Sequence, residues 1–186
     1  NDTGGPTGHY TYLGNLGAPR IAHVFFERKE GNQFFFTDPY DFTVRQPEDI
    51  IYTNTKSPYT NLTYYKQGDG RYGEERFKAH FATNVNRRLG FGFDIDYTYG
   101  RGKYQSQSTA LFNGNLFAYY LGDKYNMHFT FINDNLKVAE NGGLEDDRYI
   151  TYPLEMAEGK KKYTESEMPT NLSEIWNHNT GYHAFF

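Results

Sequence analysis

The sequence predicts an all-β chain built as an antiparallel sheet, and three observations lead there. The stretch LGFGFDIDYTYGRG (Leu89–Gly102) alternates strictly. Leu89, Phe91, Phe93, Ile95, Tyr97 and Tyr99 share one face of an extended strand, and Gly90, Gly92, Asp94, Asp96, Thr98 and Gly100 share the other. The composition is also that of strands and turns, with 18 Tyr, 16 Phe and 19 Gly against 7 Pro. Finally, the connections between candidate strands alternate between tight and long. A mean hydropathy of −0.83 is low for a chain with so bare a row of large apolar groups. That row either packs on a protein core or faces lipid.

Taken in order, residues 1–20 are rich in Gly, Pro and Asn and predict an irregular N-terminal segment. Ile21–Glu27 and Gln33–Asp38 are short strand candidates around KEGN, a hairpin turn signal. Pro39–Pro58 carries three prolines with little alternation and predicts mostly loop. Regular strands then follow at Asn61–Lys66, Arg76–Asn84, Leu89–Tyr99, Thr109–Leu121 and Tyr125–Val138, with a last one at Gly181–Phe186. No segment has convincing helical periodicity, apart from an amphipathic turn near Asn171–Trp176.

Asn84–Arg88 and Gly122–Lys124 are tight connections, whereas Gln67–Glu75, Gly100–Ser108 and Ala139–Thr180 are long. Outer-membrane barrels sort their connections this way, with short periplasmic turns and long extracellular loops. The predicted organisation is therefore 1–20 irregular and 21–186 barrel strands, with extracellular loops at about 67–75, 100–108 and 139–180.

The lipid-facing alternative can be tested on length and charge. At ~3.3 Å per residue and ~45° tilt, Leu89–Tyr99 spans about 26 Å, close to the apolar band of a transmembrane barrel. Its apolar face carries no charge, and Arg87, Arg88 and Arg101 lie outside it. The preceding strand sets Phe77 and Phe81 against Arg76, Lys78 and His80. The strand after GDK sets Tyr125, Met127, Phe129 and Phe131 against Asn126, His128, Thr130 and Asp134. In Thr109–Leu121 the face without Asn (Phe112, Gly114, Leu116, Ala118, Tyr120) is assigned to lipid. The expected lipid face is thus Phe77, Phe81, Leu89, Phe91, Phe93, Ile95, Tyr97, Tyr99, Tyr125, Met127, Phe129 and Phe131. The expected lumen lining is Arg76, Lys78, His80, Asp94, Asp96, His128 and Asp134. Tyr97, Tyr99, Tyr119, Tyr120 and Tyr125 fall where an interfacial girdle would place them.

Other chemistries find little support. The formal net charge of −4 offers no footprint for nucleic acid. The absence of cysteine removes disulfides, thiolate metal sites and cysteine nucleophiles. No apolar run reaches the length of a transmembrane helix. The six histidines lack metal-ligand spacing, and neither GxSxG nor HExxH occurs. Asp94 and Asp96 share a side, but a polar wall needs only that they be hydrated, so no enzymatic activity and no cofactor are expected. The loop ENGGLEDDR collects Glu140, Glu145, Asp146 and Asp147, a candidate Ca²⁺ site without EF-hand spacing. The charges expected in the lumen have no dominant sign, which predicts weak ion selectivity.

TYLGNLGAPR (11–20), NTKSPYTNLTYY (54–65), EERFKAHFATNVNRRLGFGFDIDY (74–97), YGRGKYQSQS (99–108), YLGDKYNMHF (120–129) and ENGGLEDDRYI (140–150) occur in that order. On these stretches the chain resembles the "putative porin" family of Bacteroidetes outer-membrane β-barrels. The resemblance implies a bacterial outer-membrane location, contact with membrane lipid, and a porin-like role in passing small polar solutes. Other outer-membrane proteins are the candidate macromolecular partners. Members of that family are longer, so the chain is expected to be the N-terminal portion of a larger barrel, with a small eight-stranded barrel as the alternative. Two other functions remain open: a structural or docking barrel with a blocked lumen, and a soluble β-sandwich that binds glycans.

Overall fold

The computed structural model describes residues 7–12, 15–28, 35–68, 73–102, 104–157 and 168–169, and the strand backbone of 175–185. The chain is all-β. Its main body is one antiparallel meander of six strands: β3 (Tyr59–Gln67), β4 (Glu74–Asn84), β5 (Leu89–Arg101), β6 (Ser108–Leu121), β7 (Asn126–Glu140) and β8 (Ile175–Phe185), paired in chain order. Before them, β1 (Tyr10–Tyr12) and β2 (Arg20–Ala22) form a separate small hairpin. In the six-stranded sheet β3 and β8 are the two edges.

The tight connections are held by their own side chains. Asn86 Oδ1 accepts the N–H groups of Arg88 (2.8 Å) and Leu89 (2.9 Å), closing the β4–β5 turn. Gly122 N–H donates to Tyr125 O (2.9 Å) across the β6–β7 turn. Arg88 then grips Asp123 with Nη2 at 3.0 and 2.7 Å from its two carboxylate oxygens, tying the two turns together at one end of the sheet.

The register sorts side chains as alternation requires. On one face the rows run Tyr64–Phe77–Tyr97–Phe112, Thr60–Phe81–Phe93–Leu116–Phe131 and Thr83–Phe91–Ala118–Phe129. On the other they run Thr63–Lys78–Asp96–Asn113–Asp134, Asn61–His80–Asp94–Asn115–Ile132 and Ala82–Gly92–Phe117–Thr130.

The second face is the inner one, because the segment before β3 lies across it. Tyr40 and Val44 pack on Leu111, Leu136 and Val138, and Ile50 and Tyr52 pack on Ala82, Phe117 and Ile132. This strap runs from the long-loop end to the turn end. Asn113 Nδ2 donates to Thr43 O (2.5 Å), Tyr119 OH to Thr53 O (3.1 Å), and Thr55 N–H to Asn84 Oδ1 (3.0 Å). Tyr52 OH hydrogen-bonds Thr130 Oγ1. At the long-loop end Leu16 N–H donates to Glu74 Oε1 (2.7 Å) and Thr109 Oγ1 to Leu16 O (2.5 Å), so the chain before β2 also rests on the inner face.

The glycines of β5 make room for this packing. A Cβ on Gly92 would stand 2.3 Å from the Phe81 carbonyl oxygen and 2.4 Å from Phe117 Cζ. The ring of Phe117 lies where β5 has no side chain, and this is why an inner face carries glycine opposite an aromatic.

Several elements differ from the sequence reading. Ile21–Glu27 and the described part of Gln33–Asp38, from Phe35 on, do not supply strands to the large sheet. Arg20–Ala22 pairs with Tyr10–Tyr12, inside the segment expected to be irregular, while Phe25–Glu27 and Phe35–Tyr40 are 3-10 turns. Pro39 inside the second turn removes a ladder donor. The KEGN turn lies outside the described residues. The long connection after β7 is shorter than 139–180 at both ends, since β7 runs to Glu140 and β8 begins at Ile175, with Glu140 and Ile175 as register partners. Pairing with a neighbouring strand outweighs local preference there. That connection also contains two single-turn helices, α1 (Arg148–Thr151) and α2 (Pro153–Met156), too short to leave a periodic signal.

Candidate functional site

The inner face of β4 and β5 carries a ladder of charges. Antiparallel pairing sets Lys78 opposite Asp96 and His80 opposite Asp94, with Arg76 one step towards the long loops. Arg76 reaches diagonally to Asp96 and holds it with both arms, Nε at 3.0 Å from Oδ1 and Nη2 at 2.8 Å from Oδ2. Two further cations stand off the same carboxylate, Lys78 Nζ and Arg45 Nη2, each 3.8 Å from Oδ2. Arg45 comes from the strap. Next along, His80 Nδ1 is 2.5 Å from Asp94 Oδ1, and the His80 ring stacks on Phe117 at 6.1 Å between centroids.

Arg45, Lys78, His80, Asp94 and Asp96 border a cavity of about 160 Å³, which Asn61, Thr63 and Asn115 also line. Asn115 is 4% exposed, and its Oδ1 has no hydrogen-bond partner among the described residues.

Of the residues expected in the lumen, Arg76, Lys78, His80, Asp94 and Asp96 come together here. His128 does not: it is exposed near the turn end, its ring edge-on to Tyr52 with centroids 5.0 Å apart. Asp134 lies on the inner face but is 4% exposed, accepting from Asn113 Nδ2 (2.5 Å) beneath the strap. The sequence reading set the Asn113 and Asn115 face of β6 away from lipid, as observed, without naming either as a site residue, and it missed Arg45. Arg45 sits in a segment without alternation, and nothing local shows that the strap delivers it to Asp96.

The opposite face carries the residues expected to meet lipid. Phe91 is 45% exposed, Leu116 53% and Tyr97 39%, and no described element covers them. Phe77, Phe93 and Phe112 are exposed on the same face, Phe81, Leu89, Ile95, Tyr99, Met127, Phe129 and Phe131 are half-buried, and Tyr125 is exposed just before β7. The Lys66–Glu75 pair (3.1 Å) stands at the long-loop end of this face, and Asn133 and Asn135 interrupt the apolar rows on β7.

In the long loop, Glu140, Glu145, Asp146 and Asp147 do not converge. Asp146 is taken by Arg148 (Nη2–Oδ2 2.6 Å), which holds its carboxyl below the usual range. Among the described residues no group of three or more His, Cys, Asp or Glu side chains could hold a metal ion. Among them, too, no helix is long and apolar enough to cross a membrane, which says nothing about crossing by strands.

A family model described as "Putative porin" matches residues 1–186, the whole chain. The chain belongs to this family. Membership supports a porin-like role and a channel-type rather than catalytic character, with an outer-membrane setting and dealings with lipid and small solutes in general. No curated protein and no solved structure matches the chain.

Proposed function

We propose that this porin-family chain forms the wall of an outer-membrane β-barrel through which small polar solutes pass passively. One observation carries the reading: the sheet leaves an apolar aromatic face uncovered while its ion-paired polar face is turned inward. A water-soluble sheet would normally cover so large an apolar face, since extended exposed patches mark interaction or membrane surfaces. From Leu89 to Tyr99 the uncharged outer face of β5 spans about 26 Å along the membrane normal at ~3.3 Å per residue and ~45° tilt, near the height of a barrel's apolar band. The arginine–carboxylate ladder then lines the passage, and Arg76, Lys78, His80, Asp94 and Asp96 form its polar wall. In lipid the edges of β3 and β8 require pairing with further strands, because an open edge cannot be satisfied there.

The strap supports a second reading, a structural or docking barrel whose lumen is blocked. It buries Tyr40 and Ile50 against the inner face, so passage requires space beside it. A glycan-binding sandwich is less well supported, since among the described residues the inner face is covered by the strap and not by a second sheet.

The deciding experiment uses the detergent-extracted parent protein. An unboiled sample migrating faster than a boiled one on SDS gels, followed by unitary currents in a planar bilayer, is the result expected of a porin. A mobility shift without current favours the blocked barrel. Recovery as a folded protein without detergent, with no shift, overturns the membrane reading.

A further inference from the structure

We propose that the cavity beneath Arg45 and Lys78 is an oxyanion-binding station that gives the passage a preference for anionic solutes. This inference rests on the porin reading and names the solute class for it. Counted by sequence alone, the wall charges have no dominant sign. Counted by what each charge can reach, they do.

The four inner-face carboxylates of β5 and β7 each have a protein partner, which for Glu140 is Gln107 at the long-loop end. Asp96 is clasped by Arg76 and only 13% of its side chain is exposed. Asp94 is joined to His80. Asp134 is buried with Asn113 under the strap. Lys78 and Arg45 keep 40% of their side chains exposed and lie 3.8 Å from Asp96, too long for a hydrogen bond. Two cations therefore face the cavity with most of their donors available.

The cavity of about 160 Å³ suits a phosphate or carboxylate group with part of its carrier. Asn61 and Thr63 add polar groups from β3. Asn115, buried and bordering the same space, has an amide oxygen with no partner among the described residues. Asp96 and Asp94 also border the cavity, one clasped by Arg76 and the other joined to His80, so a guanidinium and an ammonium remain as its recognition set for an oxyanion.

The test uses the parent protein in detergent and in planar bilayers. Inorganic phosphate and succinate are titrated separately by calorimetry, and the reversal potential is read in a KCl gradient. Expected are saturable binding of at least one anion and a reversal potential of chloride-selective sign. Lys78→Gln and Arg45→Gln each weaken binding about tenfold, as loss of one charge-assisted contact implies, and move the reversal potential towards zero. Lys66→Gln on the outer face changes neither. The gel mobility shift confirms that each variant is folded.

Binding of phosphate alone identifies phosphorylated solutes, and binding of succinate alone identifies carboxylates. Currents without anion preference, or binding indifferent to both substitutions, overturn the station and leave the porin reading intact. Binding that both substitutions weaken, in a protein that carries no current, supports the site and overturns the porin.

Discussion

The assignment of inner and outer faces can be tested with two methyl groups. Gly92 and Gly114 lie in adjacent strands, and neither has a positive φ. A methyl on Gly92 would fall 2.3 Å from a backbone oxygen of β4 and 2.4 Å from the Phe117 ring beneath the strap. The ring can shift, but the carbonyl belongs to the Phe81 backbone and cannot. A methyl on Gly114 would meet only the Phe112 ring on the uncovered face, at 3.1 and 3.3 Å, and that ring has open space to move into.

Replacing glycine by alanine inside a strand gains about 0.5–1 kcal/mol from the unfolded chain's lost freedom. Overpacking a close-packed site costs about 1–3 kcal/mol, and the fixed carbonyl puts Gly92 in the upper part of that range. Gly92→Ala is therefore expected to destabilise by ~1–2 kcal/mol net, whereas Gly114→Ala is neutral or slightly stabilising. The assay is a urea titration of the parent protein in lipid micelles, followed by loss of the heat-sensitive gel mobility. Adding Phe117→Ala to Gly92→Ala should relieve only part of the clash. If Gly114→Ala is the more damaging change, or the two are equal, the register or the choice of inner face is wrong.

Three further outcomes follow from the same geometry. Phe93→Arg puts a charge in the middle of the uncovered face, and in a bilayer it should cost about 2–4 kcal/mol; insensitivity in a lipid-based unfolding titration would refute lipid contact there. Ile50→Ala removes a buried strap anchor and should cost ~2–5 kcal/mol of local strap stability. Faster hydrogen exchange across residues 40–52, with β5 and β6 unchanged, is the expected readout. Asp146 should titrate below the usual carboxylate value because Arg148 holds its ionised form. A folded value below the unfolded one adds stability that is complete above the unfolded pKa and disappears as pH falls through the folded one. Local order at the start of α1 is therefore expected to fade only below about pH 4, the unperturbed range. Arg148→Gln should move the Asp146 carbon-13 titration midpoint upward, and an unmoved midpoint would refute the pairing.

Much of the sheet was legible because its signal is local. Alternation in Leu89–Gly102 and in Arg76–Asn84 reports two faces without reference to any other element, and the register of β4 with β5 places the faces as alternation requires. In β6 the Asn-free face, with Phe112 and Leu116, is the exposed one, while Asn113 and Asn115 are buried. The N-terminal third was not legible. Ile21–Glu27 and Gln33–Asp38 have strand-like composition, but their described residues find no partner in the large sheet and settle as a short hairpin strand and 3-10 turns.

The sequence by itself determined an all-β chain of alternating strands and the membership of Arg76, Lys78, His80, Asp94 and Asp96 in one polar face. A two-residue period is written in neighbouring residues and survives any reading. Only the tertiary structure decided that the segment around 40–55 lies across that face, that Asp134 is withdrawn beneath it, and that Arg45 joins Lys78 at the cavity. Those contacts link positions far apart in the chain, Thr43 to Asn113 and Thr53 to Tyr119, through a proline-containing stretch with no periodicity. Burial and long-range pairing assign each charge its reach, and no local pattern encodes either.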